Sequence, residues 1–250
     1  MKLKEIFDQL TYGELSQMEL GGMNNDSPGI EPSRYPMIVN HINLGLNALY
    51  QRFPLKESIV KVELMPGIYT YNLRSSFSEN SLVSFEDNFY IKDTEDSPFQ
   101  DDLIKVERVY TDTGMELGLN DENDSLAIIT PSLQSIRVPE AIVNQSQDLP
   151  RELITKSLKV VYRASHPMLR ATDTINPSSI EVELPYSHLE ALLYFVASRL
   201  HNPIGMTNEF HAGNSYAAKY EMVCQRLEAQ NIRADQFSQS SSRLERGGWV

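Results

Sequence analysis

The period of the apolar residues changes twice along this chain of 250 residues, and that change limits the fold more than any single motif does. Near the start, Leu3, Ile6, Phe7 and Leu10 recur at helical spacing until Gly13 stops the run. Gly21-Gly22 through Pro36 reads as a loop. A second helix is predicted from Tyr35 to Phe53, with Ile38, Ile42, Leu46, Leu49 and Phe53 on one face, Pro36 in its first turn and Pro54 as its stop. The period then falls to two. Ile59-Val-Lys-Val-Glu-Leu64 and Ile104-Lys-Val-Glu-Arg-Val-Tyr110 alternate as half-buried strands do. Ile68–Tyr71, Ala127–Thr130, Ser135–Val138, Leu158–Tyr162 and Ile180–Leu184 add further strand candidates, separated by Pro, Gly, Asn and Asp clusters. From Pro185 the helical period returns. Leu189, Leu192, Leu193, Val196 and Leu200, widened by Tyr194 and Phe195, cover so much of one helix that it must pack on more than one side. His201-Asn-Pro203 ends it. A last helix capped by Asn208 carries Tyr216, Tyr220, Val223, Cys224 and Leu227.

The fold class that follows is α+β. The N- and C-terminal helices (1–57 and 185–231) form a bundle, a mostly antiparallel β domain (58–184) is inserted between them, and an extended tail (232–250) follows.

The net charge of −12 is concentrated. Glu79 to Asp124 holds 14 acidic and 3 basic residues, a balance of −11, so the other 204 residues sum to −1. Such a segment repels nucleic acid at its phosphates. Asp121-Glu-Asn-Asp-Ser125 lacks the sixth-position glycine and the twelfth-position glutamate of a calcium-binding EF-hand loop, so the clusters read as solvated loops. Met1-Lys-Leu-Lys-Glu-Ile-Phe-Asp8 alternates charge with apolar residues, and no signal peptide is expected from it. No apolar run has the length that spans a bilayer.

The residues able to carry catalysis stand at no spacing that catalysis uses. Cys224 is alone, which excludes an internal disulfide, and it falls on an apolar helix stripe, where it reads as a small hydrophobe. His41, His166, His188, His201 and His211 show no metal-ligand spacing; His201 and His211 flank a turn. There is no nucleophile elbow and no phosphate-cradling loop, and Gly114-Met-Glu-Leu-Gly118 has too few glycines for one. The chain reads as no enzyme and as needing no cofactor and no metal. Tyr69, Tyr71, Tyr90, Tyr110 and Tyr162 fit a stacking face or ordinary strand propensity, and the second is preferred.

The only tryptophan, Trp249, closes the Ser/Gln-rich tail with Phe237, Leu244 and Val250 as spaced apolar anchors and Arg243 and Arg246 between them. Tryptophan is usually placed in a core or an interface. Docking on another chain, folding back and disorder stand as three readings of the position alone.

Leu184-Pro-Tyr-Ser-His-Leu-Glu-Ala-Leu-Leu-Tyr-Phe-Val-Ala-Ser-Arg199 followed by Ala217-Ala-Lys-Tyr-Glu-Met-Val-Cys-Gln-Arg-Leu227 resembles the paired helices of bacteriophage head-to-tail adaptor proteins, the neck or tail tubular connectors. Leu3-Lys-Glu-Ile-Phe-Asp-Gln-Leu10 is similar to the family's short N-terminal helix. About 90 residues carry the resemblance, and the long acidic β insertion departs from the smaller adaptors. The resemblance implies a virion protein of the neck between capsid and tail, assembled in the host cytoplasm. It implies a homo-oligomeric ring of about 12 copies that binds the portal protein and a downstream tail or nozzle protein. DNA would pass through the lumen without specific binding, and no membrane is involved. The tail residues Phe237, Arg243, Leu244, Arg246, Trp249 and Val250 would then dock on the portal. The alternative is a tail-associated binding module whose β domain recognises a glycan or another tail protein.

Overall fold

The computed structural model describes residues 1–15, 30, 32–80, 88–95, 98–147, 149–201 and 207–231. In chain order the elements are α1 (Leu3–Tyr12), α2 (Tyr35–Arg52), β1 (Glu57–Glu63), β2 (Thr70–Asn72), β3 (Ile91–Lys92), β4 (Leu103–Thr111), β5 (Glu116–Leu117), β6 (Ile129–Ser132), β7 (Ser135–Arg137), α3 (Glu140–Val143), β8 (Ser157–Ala164), α4 (Leu189–Leu200) and α5 (Thr207–Asn231). Helix and sheet are both present and every named strand pair is antiparallel, which makes the chain α+β. Two compact units divide it: Met1–Leu49 with Met168–Val250, and Tyr50–Pro167.

The first unit is helical. A ten-residue helix such as α1 is marginal alone, but all four of its expected apolar positions are buried. Burial contributes roughly 1.5–3 kcal/mol for each large apolar side chain and offsets much of the cost of ordering the helix. Phe7 stacks on Tyr35 of α2 with ring centroids 4.4 Å apart. α2 and α4 approach closely at Gly45, where an added Cβ would meet Leu192 Cδ1 at 2.6 Å and Phe195 Cδ1 at 3.0 Å. α4 therefore packs against α1, α2 and α5, as its broad apolar surface requires. α2 also grips a neighbouring loop. Asn43 donates from Nδ2 to the carbonyl of Leu169 (2.8 Å) and accepts the Leu169 N–H on Oδ1 (3.0 Å), a side chain standing in for a backbone partner.

Ile180–Leu184, read from sequence as a strand, supplies only an isolated antiparallel bridge from Glu181 to Lys2. Met1 and Val182 exchange hydrogen bonds, and the Leu3 N–H reaches Ile180 O at 3.0 Å. The alternation there is real, but its partner is three residues long. Asn208, expected as the α5 cap, lies inside the helix, which begins at Thr207.

The second unit holds a five-stranded sheet in the order β3-β1-β8-β4-β5 and a three-stranded sheet in the order β2-β7-β6. One hydrophobic cluster joins them, from Val60, Val62 and Val160 on the larger sheet to Tyr71 and Ile136 on the smaller. β4 departs from strict alternation. Leu103, Val106, Val109 and Thr111 are its buried residues, because its register against β8 slips between Leu103 and Lys105 and again between Val106 and Arg108. Ile104 and Glu107 are the extra residues of two bulges, and each resets which face the next side chain takes. β4 then turns into β5 through Gly114, whose φ of 92° favours glycine.

Candidate partner interface

The helices that carry the resemblance pack on each other. α4 contributes Ala191, Leu192, Val196 and Ala197, all fully buried, and α5 contributes Tyr220, Val223, Cys224 and Leu227. Cys224 is 0% exposed, a packed hydrophobe. Phe195 meets Tyr220 edge to face at 5.4 Å, and Arg226 Nη2 lies 2.5 Å from Glu190 Oε2. At the other end, Lys219 Nζ sits 4.8 Å from the Tyr216 ring centroid and 5.6 Å from that of Tyr194. His201 stacks on Tyr216 at 5.2 Å. The Tyr216 hydroxyl donates to Glu14 O at 3.3 Å, and His201 Nε2 lies 3.3 Å from that same oxygen. One carbonyl thus joins the end of α1 to both helices. Burial, with Glu190 and Glu14 near Tyr194 and Glu14 near Tyr216, pushes the two phenols above their ordinary range, so they stay protonated.

Two histidines of this unit are kept neutral. His188, 4% exposed at the start of α4, has its pKa lowered by burial, and the positive end of the helix works the same way. His41 is lowered by burial and then by the Arg199 cation. Phe237, Arg243, Leu244, Arg246, Trp249 and Val250, expected from the resemblance to dock on a portal, all lie outside the described residues. So does the side chain of His211, leaving the His201–His211 pair outside them as well. α5, which precedes the tail, is anchored in its last turns by Leu227 and Arg226.

In the β unit the acidic residues serve mainly as loop acceptors. Asp93 accepts from Ser78 Oγ, from the Phe99 N–H at 2.9 Å and from Asn80 Nδ2 at 3.0 Å. Burial works to raise its pKa, but these donors together hold it below the usual carboxylate range. Asp101, at φ 57°, accepts the Ser75 N–H at 2.6 Å and the Ser75 hydroxyl at 2.5 Å. Asp121 and Asp124 accept the N–H groups of Asn123 and Leu126 at 3.0 and 2.9 Å, the turn pattern of short acidic side chains. Gly118 makes room for the second, since a Cβ there would stand 2.9 Å from Asp124 Oδ2. Among the described residues no three His, Cys, Asp or Glu side chains are placed to hold a metal. Glu86, Asp87 and Asp96 lie outside the described residues.

The tyrosines do not make one stacking face. Tyr71, Tyr90 and Tyr162 are buried, while Tyr69 and Tyr110 are half-buried. Tyr71 meets Tyr90 edge to face at 5.0 Å, the Tyr71 hydroxyl accepts the Met65 N–H at 2.9 Å, and the Tyr90 hydroxyl bonds both backbone groups of Asn72. A groove of about 450 Å³ is lined in part by Lys56, Lys92, Asp93, Phe99, Asp102 and Tyr162. The Tyr162 hydroxyl donates to Asp102 at 2.8 Å, and burial, then the Asp102 charge, pushes its pKa well up. It is a donor there rather than a base or nucleophile.

Sequence reading missed a surface. Lys92, Lys61 and Lys159 face one another across β3, β1 and β8. Alternation alone places Lys61 and Lys159 outward; only the strand register, which joins segments nearly a hundred residues apart, aligns them. No protein-family model matches the chain, and no curated protein matches it.

Proposed function

We propose that this chain is a structural connector: a head-to-tail adaptor that forms a ring, binds the portal of a virus particle, joins it to the tail and lines part of the DNA passage. The observation that carries the reading is the packing of α4 on α5 and α1. The three segments that resemble the adaptor family sit together in one unit, although more than 170 residues separate the first from the second. A helix pair fixed along its length gives a chain segment after Asn231 a firm base from which to reach another subunit, and repeated docking around a ring adds avidity. In this reading Phe237, Leu244, Trp249 and Val250 are the apolar anchors on the portal, with Arg243 and Arg246 beside them.

Deletion of residues 234–250 tests the assignment. The truncated chain keeps its circular dichroism spectrum and thermal melt but no longer co-sediments with portal rings. Undiminished portal binding by the truncation would overturn the docking role. Mass measurement and negative-stain imaging of the full chain mixed with portal test the ring itself.

A further inference from the structure

The outward face of the five-stranded sheet sets like charges side by side. Lys61 is directly opposite Lys92 on one neighbour and Lys159 on the other. Like charges in that arrangement destabilise a sheet. Lys92 is answered by Glu63, at 2.8 Å, and by Glu79, and these carboxylates hold its ammonium above the ordinary range. Lys61 and Lys159 are exposed, and no carboxylate of the described residues forms an ion pair with either. In the row beside them Ile59, 67% exposed, faces Val161, and Arg108, paired with Glu57, stands next across β8. Two ammonium groups outside ion-pair distance of a described carboxylate, Lys61 with the charge of Glu63 along its strand, thus border an exposed apolar side chain.

The complement follows the edge strand β5 of the same sheet, with β4 between it and β8. Beyond β5 the chain enters Asp121–Asp124, where Glu122 and Asp124 are exposed and Asp121 is half-buried. The loop is held in shape. Besides its two acidic turns, Asn120 accepts the Thr130 N–H at 2.8 Å and donates to Thr130 Oγ1 at 2.8 Å. Each of the two Asp carboxylates has one oxygen on a backbone N–H and keeps lone pairs for a cation. A preformed acidic loop loses little entropy on docking.

We propose that Lys61, Lys159 and Ile59 receive the Asp121–Asp124 loop of a second copy of this chain. The lysine patch lies on β1 and the central strand β8, and the acidic loop follows the edge strand β5, so the two patches are separate surfaces and can pair head-to-tail. Such contacts close into rings when their rotation permits and run into filaments when it does not. The inference rests on the ring reading and adds to it the side chains that join neighbours. A nucleic acid is the less suitable occupant, because two lysines beside Glu63 offer few phosphate contacts, and affinity for a phosphate backbone grows with their number.

The test mixes isotope-labelled and unlabelled full-length chains, applies a zero-length carbodiimide cross-linker and locates mixed-isotope links by mass spectrometry. Links joining Lys61 or Lys159 to Asp121, Glu122 or Asp124 of the other chain are expected. In parallel, sedimentation velocity at low salt follows association of Lys61→Glu/Lys159→Glu and of Glu122→Lys, which removes none of the loop's own hydrogen bonds. Each should weaken association by roughly tenfold or more, and the chain carrying all three changes should recover part of it. Self-association that is unchanged by the reversals, with links elsewhere, overturns this interface and leaves the ring reading standing. No self-association at any salt concentration or with portal present overturns both. Binding of a labelled DNA duplex that is lost in Lys61→Glu/Lys159→Glu, while self-association persists, reassigns the face to a polyanion.

Discussion

The two compact units meet the same demand, a dry interior in which backbone polar groups find partners, by different means. In the helical unit the answer is mostly apolar: α4 buries Ala191, Leu192, Val196 and Ala197, and Gly45 clears the space that lets α2 approach it. In the β unit polar side chains complete what short strands leave open. Asn120 closes the edge of β6 at Thr130, Asp93 gathers Ser78, Asn80 and Phe99, and Thr155 accepts from Asp112 and donates to Ser157. The difference teaches how to read the acidic segment. Much of its charge is a consequence of building loops from side chains that accept hydrogen bonds, and only the part left exposed is free to meet a partner.

The largest expected effect that separates the units is Tyr71→Ala. It empties a fully buried ring site and removes the acceptor for the Met65 N–H, at a cost of about 3–5 kcal/mol. Hydrogen exchange read by mass spectrometry should show protection lost across Tyr50–Pro167 and kept in α1, α4 and α5. Equal loss in both would make them one cooperative body. Gly45→Leu is the mirror experiment. The new side chain collides with Leu192 and Phe195 and should lower stability by about 1–3 kcal/mol, with loosening confined to the helical unit.

Acid should also take the units apart in order. His188 and His41 have folded pKa values below the ordinary 6.5, so the folded unit binds fewer protons than the unfolded chain. Their contribution is complete above that value and is lost as pH falls through the lowered folded values. Asp93 is likewise depressed, but from 3.8, so its contribution persists until pH falls below that point. A pH series of exchange measurements should show the helices softening first. Simultaneous softening, or the β unit leading, would contradict the assignment. The smallest effect belongs to Arg226→Ala. Its pair with Glu190 is roughly half-exposed on both sides, and a change below about 1 kcal/mol in chemical denaturation is expected.

The fold class was legible because it depends on short-range periodicity. α1 stops at Gly13, α2 starts at Tyr35, β8 covers its expected run, and β1 covers all of its own but Leu64. What was not legible depends on pairing at a distance. Nothing local in Leu103–Thr111 signals its two bulges, which exist only relative to β8. Nothing local in Asn43 shows that its partner is Leu169, 126 residues away. The lysine row was hidden for the same reason: each residue has the solvent-facing place its strand predicts, and its meaning arises from register. The expected docking tail rests on composition alone, a string of polar residues with four apolar anchors, and residues 232–250 lie outside the described residues.

The bulges in β4 carry a further consequence. Nine residues of that strand run beside seven of β8, so the count of residues in the strand and the length of its ladder are separate quantities. A single-residue deletion in an ordinary strand inverts every side chain beyond it. At Ile104 the same deletion would leave Leu103, Lys105 and Val106 opposite the partners they already have. The centre of this sheet therefore contains a place where heritable length change, usually confined to loops, is compatible with an unaltered core.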